Sequence, residues 1–263
     1  MVRMTDFKAS KRLIGTSAER TGITYGSDFA NNSTGWNFQA TSDITSNRLK
    51  VWNATSPPYG QATYTLSSDV DGDFVLRYRL KWHAGDSYIF VGLYDELPST
   101  LTDTTMDFCE SGFYFTNNSN RGLRAYAGDN ISYGADPIAS TGASQTGVAD
   151  TDYYIELIRD VSASTLKLNK YTSSDYTGTP ETHTMSSTPS GIDGLKYLKV
   201  VYTHDGSTGG TSSYIFVDQI KLYAGVTTPT DAQIANVQTY SIFSETDTGK
   251  DYIWSGSAWT EVA

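Results

Sequence analysis

The sequence predicts an all-β fold: a two-sheet antiparallel β-sandwich followed by a small three-stranded β-meander. Three observations point there. The chain is rich in Ser, Thr, Gly and Asn and carries 13% aromatic residues, 19 of them tyrosines, which is strand-and-turn chemistry. From Tyr25 onward, strand-forming runs recur about every 8–14 residues between clusters of Gly, Asn, Asp and Ser. The segment from Asp73 to Trp82 alternates strictly. Phe74, Leu76, Tyr78, Leu80 and Trp82 point one way and Val75, Arg77, Arg79 and Lys81 the other, as in a strand with one face buried and one in water.

Residues 1–24 show little periodicity and read as an extended arm. Arg3, Lys8, Lys11, Arg12 and Arg20 against Asp6 and Glu19 leave residues 1–20 at +3, while the whole chain is −10. Two readings stay open for the arm: docking on an acidic partner, or an ordinary mobile terminus. The sandwich spans 25–226. Within it Ser87 to Tyr94, apolar on both faces, reads as a central strand. Three hairpins are expected: Gly112–Phe115 with Gly122–Gly128 through the Asn-rich turn TNNSNR, Tyr153–Asp160 with Thr165–Tyr171, and Leu195–Thr203 with Ser213–Tyr223. A linker over 227–239 contains one candidate helical turn, Ala232 to Val237. In the meander, 240–263, the strands TYSIF, DYIWS and AWTEV are joined by the tight turns ETDTGK and SGS. A unit this small buries little apolar area, so it should pack on the sandwich or on another copy through Phe243, Tyr252, Trp254 and Trp259.

Composition excludes some function classes. An acidic chain with pI about 4.7 lacks the basic footprint that nucleic-acid binding needs. No apolar run approaches the roughly 20 residues of a membrane-spanning helix. The single cysteine, Cys109, allows no internal disulfide and reads as a small buried residue. The first residues, MVRMTDFKASKRLIG, lack a secretory signal. An extracellular-looking composition without export signal or disulfide fits a virion protein assembled in the host cytoplasm, or a chain trimmed of its signal.

Little points to catalysis. His83, His183 and His204 show no zinc-ligand spacing, and there is no GxSxG turn. The nearest acid pairs, Asp95 with Glu96 and Asp107 with Glu110, read as loop residues. Asp69, Asp71 and Asp73 alternate as Ca²⁺ ligands can, but the EF-hand pattern fails at Phe74 and Leu80, so a solvated turn is favoured. Asp218, inside an apolar strand, must face water, pair with a Lys or Arg, or hold a metal. Loop aromatics are the usual carriers of sugar binding, because sugar C–H faces stack on rings. Trp52, Tyr59, Tyr126, Tyr133 and Tyr176 are the candidates.

The segments SDFANNSTGWNF, NRLKVWNAT and GQATYTLSSDVDGDFVLRYRLKW resemble the opening of concanavalin A-like (laminin-G-like) and carbohydrate-binding jelly-roll domains, and SYIFVDQIKLYAG resembles their last strand. The resemblance implies a two-sheet antiparallel jelly-roll β-sandwich. It also implies a structural Ca²⁺ held by Asp218 with the region of Asp28. The glucanase relatives' Glu-x-Asp-x-x-Glu signature does not occur. The ending SIFSETDTGKDYIWSGSAWTEV resembles a short module at the ends of phage and marine viral structural proteins, and DFKASKRLIGTSAERTG resembles the leader of lectin-like proteins of similar origin. The expectation is therefore a non-enzymatic viral structural or adhesion protein of a tail, fibre or capsid, on the virion surface. Its expected partners are other virion proteins, its own copies in a homo-oligomer such as a trimer, and a host glycan, with no nucleic acid and no membrane insertion. The alternatives are a purely structural decoration or tail subunit, and a microbial carbohydrate-binding module or polysaccharide-degrading enzyme.

Overall fold

A computed structural model describes residues 12–15, 25–27, 35–38, 42–52, 60–83, 87–97, 105–117, 120–132, 139–143, 148–204, 214–229, 242–245, 248–254 and 259–262. The strands among them, numbered in chain order, form two large sheets and one small one, with no helix among the described residues. One large sheet contains β3 (Trp36–Phe38), β6 (Gly60–Thr65), β8 (Ser87–Tyr94), β9 (Thr105–Asn117), β10 (Asn120–Ser132), β11 (Ala139–Ala143) and β15 (Tyr197–His204). They run in the order β11-β10-β9-β8-β15-β6-β3. The other contains β4 (Ser42–Thr45), β5 (Arg48–Trp52), β7 (Phe74–Trp82), β12 (Asp152–Asp160), β13 (Thr165–Tyr171), β14 (Glu181–Met185) and β16 (Tyr214–Ala224). Its order is β14-β13-β12-β7-β16-β5-β4, with β2 (Tyr25–Ser27) also on β16. All pairings in both sheets are antiparallel.

The core lies between these sheets. Phe74, Leu76, Tyr78, Leu80 and Trp82 of β7 pack with Ile89, Val91 and Leu93 of β8 and with Cys109 and Phe113 of β9. Trp82 and Phe113 meet across it at 5.7 Å, and the Tyr78 hydroxyl donates to the Ser111 carbonyl at 2.7 Å, so a buried polar atom is satisfied from the opposite sheet.

Several expectations are corrected. β9 and β10 are each 13 residues long, well beyond the expected Gly112–Phe115 and Gly122–Gly128. Asp107 and Glu110 therefore lie on a strand and are buried, not on a loop. The alternation that marks a half-buried strand is missing there because Met106–Phe113 is covered on both faces. β15 and β16 do not form a hairpin. Both edges of β15 are taken by β6 and β8, and both edges of β16 by β5 and β7, so the two strands belong to different sheets. The outer face of β7 is not all in water either, since Val75 and Arg77 are buried. The candidate helical turn at 232–237 lies outside the described residues.

The Asp-rich segments brace loops with their carboxylates. Asp107 Oδ1 accepts from the Asn130 amide at 2.7 Å and Oδ2 from the Asp193 amide at 2.8 Å. Asp71 accepts from the Gly194 amide at 2.7 Å and Asp73 from the Val161 amide at 2.8 Å. Replacing Asp107 by Ala orphans two amides at one end of the sandwich. Urea unfolding should show a loss of about 1–3 kcal/mol, with Asp107→Asn retaining part of it.

The small sheet is β1 (Arg12–Gly15), β17 (Ile242–Glu245), β18 (Asp251–Trp254) and β19 (Trp259–Val262), in that order. The three meander strands are antiparallel, and the fourth, from the N-terminal segment, joins β17 in parallel. The β17–β18 turn closes through Glu245 N–H to the Lys250 carbonyl at 2.8 Å, with Gly249 at φ +70°, a conformation glycine adopts without steric cost. Phe243 is fully buried.

Candidate functional site

The outer face of the eight-stranded sheet is built by three strands from distant parts of the chain. In β5, Leu49 and Val51 enter the core, so Arg48, Lys50 and Trp52 face out. In β16, Ile215 and Val217 enter it, so Tyr214, Phe216 and Asp218 face out. In β7, Leu80 and Trp82 enter it, so Arg79 and Lys81 face out, and His83 continues that face. The ladder registers align these side chains into rows. Trp52 pairs with Tyr214, Lys50 with Phe216, Phe216 with Lys81, and Asp218 with Arg79.

The first row is aromatic. The His83 ring stacks on Tyr214 with centroids 4.5 Å apart and planes at 13°. Tyr214 also meets Phe216 edge-on at 5.3 Å. The His83 Nδ1 lies 2.9 Å from Asp150, which is exposed. The second row is Lys50–Phe216–Lys81. Lys50 Nζ sits 4.1 Å from the centroid of the Tyr214 ring and 5.8 Å from that of Trp52, a cation over aromatic faces. Trp52, Lys50, Tyr214, Phe216, Lys81 and His83 are all partly exposed, so rings and charges at this end are open to a ligand.

The third row is closed by ion pairs. Asp152 accepts from Arg79 at 2.6 Å and from Arg48 at 3.1 Å, and the two guanidiniums together hold its carboxyl below the usual carboxylate range against its partial burial. Asp218 lies 3.8 Å from Arg48 and 3.9 Å from Arg79. It stands at a bulge in β16, where the register shifts between Asp218 and Lys221 and Gln219 takes φ +52°. Below this row Glu156 is buried, accepting from Arg77 at 2.6 Å, Asn169 at 2.8 Å and Tyr171 at 3.1 Å.

Of the aromatic candidates from the sequence that are described, the structure brings Trp52 alone to this patch, at the end of a strand instead of in a loop, with Asp218 on the adjoining row. Tyr126 is buried on the outer face of the other sheet, edge-on to Phe90 at 5.3 Å, in a cluster with Tyr94, Met106 and Phe108. Tyr176 is buried too, its ring 4.5 Å from the Arg77 guanidinium and 5.6 Å from Tyr171. Neither ring presents an open face for stacking. Tyr59, Tyr133 and Asp28 lie outside the described residues.

Asp218 does not fit the expected Ca²⁺ site. Two guanidiniums within 4 Å already supply its positive charge and would repel a divalent ion. Among the described residues no group of three or more His, Cys, Asp or Glu could hold a metal. Adding EDTA should leave the melting temperature within about 1 °C, less than the shift about 1 kcal/mol produces in a chain of this size. A fall of several degrees would restore the metal.

The residues that sequence reasoning missed were Lys50, Lys81, His83, Tyr214 and Phe216. The one signal was that Tyr214 and Phe216 are aromatic at the alternate positions of a strand whose other positions are aliphatic. A second cluster, on the outer face of the seven-stranded sheet, is closed to solvent. Lys199 and Tyr94 are both 0% exposed, Tyr94 donates to Glu110, and Lys199 Nζ lies 5.1 Å from the Tyr94 ring centroid. Burial brings the Lys199 ammonium down to about 8, with Glu110 opposing.

The two-sheet sandwich superposes on solved lectins. A basic winged bean lectin solved with Tn-antigen superposes with a TM-score of 0.55 at 12% identity, covering 76% of this chain and 97% of the lectin. The chain has the fold of the legume lectins. A legume lectin-like domain from Entamoeba histolytica gives 0.53 at 12% identity over 73% of this chain and 91% of that domain. The CBM2 module of the evolved Dit of Lactobacillus casei BL23 phage J-1 gives 0.55 at 10% identity over 78% of this chain and 96% of the module. No protein-family model matches the chain, and no curated relative does.

Proposed function

We propose that the chain is a non-enzymatic, lectin-like protein of a virus particle, displayed on its surface as part of a tail, fibre or capsid, and that it binds host glycans through the Trp52–Tyr214 patch. The observation that carries the binding role is this patch of partly exposed rings and polar groups on a lectin sandwich. Trp52 offers a face for sugar C–H groups, and Tyr214, Lys50, Lys81, His83 and Asp150 surround it with hydrogen-bonding groups. The phage Dit module among the structural neighbours and the two virus-like ends of the sequence support the virion setting. In this reading the two ends, joined as β1 with β17, serve assembly with other virion proteins and with further copies of the chain, and a trimer is the expected state.

A glycan array probed with the purified chain tests the binding role. Specific hits should weaken about tenfold or more with Trp52→Ala, because one stacking contact is worth roughly 1.4 kcal/mol. An array without hits, beside a stable oligomer, would favour the purely structural decoration. Antibodies against the sandwich should label intact particles, and unlabelled particles would remove the virion setting.

A further inference from the structure

Two lysines, Lys50 and Lys81, stand in the patch, in a chain whose net charge is −10. Among the described residues, the acidic groups near the rows have partners of their own. Asp152 and Asp218 lie with Arg48 and Arg79, Glu156 with Arg77, and Asp150 with His83. Asp43, the ladder partner of Lys50, turns its carboxylate to the Ile44 amide at 2.7 Å. Lys50 and Lys81 are left with no carboxylate within 4.0 Å among the described residues. They flank Phe216 on its two neighbouring strands, about 10 Å apart at the backbone by strand spacing. Lys50 Nζ caps the Tyr214 ring and stands 5.8 Å from the centroid of Trp52, so its charge lies beside a sugar stacked on Trp52.

We infer that the patch selects an anionic saccharide, its carboxylate, sulfate or phosphate set between Lys50 and Lys81 while an apolar face of the ring lies on Trp52. This rests on the glycan-binding reading and adds the class of glycan. The arrangement suits an anion for a physical reason. Both ammonium groups are partly exposed beside low-dielectric rings, where an opposite charge is attracted more strongly than in open water. The Arg48–Asp218–Arg79 row next to it, already neutralised by Asp152 and Asp218, confines the attraction to the Lys50–Phe216–Lys81 row.

Calorimetric titration with maltotriose, sulfated maltotriose and trigalacturonate separates the possibilities. At least one acidic trisaccharide should bind about tenfold or more tightly than maltotriose in about 50 mM salt, and its affinity should fall as salt rises. Lys50→Gln and Lys81→Gln should each weaken it about three- to tenfold. Lys167→Gln, on β13 of the same face, should leave it unchanged. The carboxylate and sulfate arms tell which anion is read. Equal or tighter binding of maltotriose, still lost with Trp52→Ala, overturns the anionic preference and leaves the glycan-binding reading standing. An equal loss with Lys167→Gln also overturns it, as non-specific attraction. Binding of none of the three sugars, with the wild-type melting temperature intact, overturns both.

Discussion

Replacing Glu156 by Ala should cost about 3–5 kcal/mol, the largest single loss expected in the eight-stranded sheet. Glu156 is 3% exposed, and one of its oxygens takes both Nε and Nη2 of Arg77 at 2.6 Å. The other takes Asn169 and Tyr171, and Asn169 in turn accepts from Thr182 at 2.7 Å. Deleting the carboxylate takes from the buried Arg77 guanidinium the oxygen that two of its nitrogens share and breaks a chain that ties β7, β12, β13 and β14 together. In a chain of this size the melting temperature should drop by about 6–20 °C. Glu156→Gln keeps the shape and the Asn169 contact and should cost less. The paired change Arg77→Met with Glu156→Leu should recover much of the loss, because it removes both buried charges at once. A loss below about 1 kcal/mol for Glu156→Ala would show that the pair is solvated.

Stability should fall steeply in alkali. Burial pushes the Cys109 thiol up to about 12 from an ordinary 9.0, and Asp107 and Glu110 add to this against Arg159. The folded chain thus keeps a proton that the unfolded chain releases above pH 9. That stability is fully present below pH 9 and is lost as pH rises to 12, about 4 kcal/mol in all. The Tyr78 hydroxyl, fully buried and raised in the same direction chiefly by burial, adds a loss beginning near pH 10. Lys199 works the other way. Its ammonium, brought down to about 8 from 10.5, is harder to keep charged in the folded chain, so stability grows between those values. The three together predict a maximum near pH 9 and a steep loss above pH 10.5. Urea unfolding from pH 7.5 to 11.5 measures the curve. Cys109→Ala should flatten the alkaline limb, and Lys199→Met should remove the rise below pH 9. A curve level to pH 11.5 would contradict the burial of Cys109 and Tyr78.

The fold was legible where one face of a strand is dry and the other wet. The Asp73–Trp82 alternation marked β7 with its inward face correct, and the turns after Asp160 and Glu245 marked two true hairpins. It was not legible where both faces are covered. Asp107 and Glu110 broke the expected pattern of β9, and Thr105–Ser111 read as loop. Nor was it legible where pairing is decided by which strand edges are already taken, as for β15 and β16. The candidate site was the least visible part. Trp52 stood out as an aromatic, but its neighbours come from 81–83 and 214–218, and only the hydrogen-bond register of β5, β16 and β7 sets them in rows. The choice for Asp218 between a metal and a basic partner depended on Arg48 and Arg79, which no spacing in the sequence places beside it.

The most direct test of the account is a nuclear magnetic resonance titration of the indole N–H signals of the five tryptophans with a sugar selected on the array. The account predicts a saturable shift of the Trp52 indole, with the buried Trp36 and Trp82 unmoved, and its disappearance in Tyr214→Ala. A bound sugar that leaves Trp52 unmoved, or shifts that map to the outer face of the seven-stranded sheet, would contradict it.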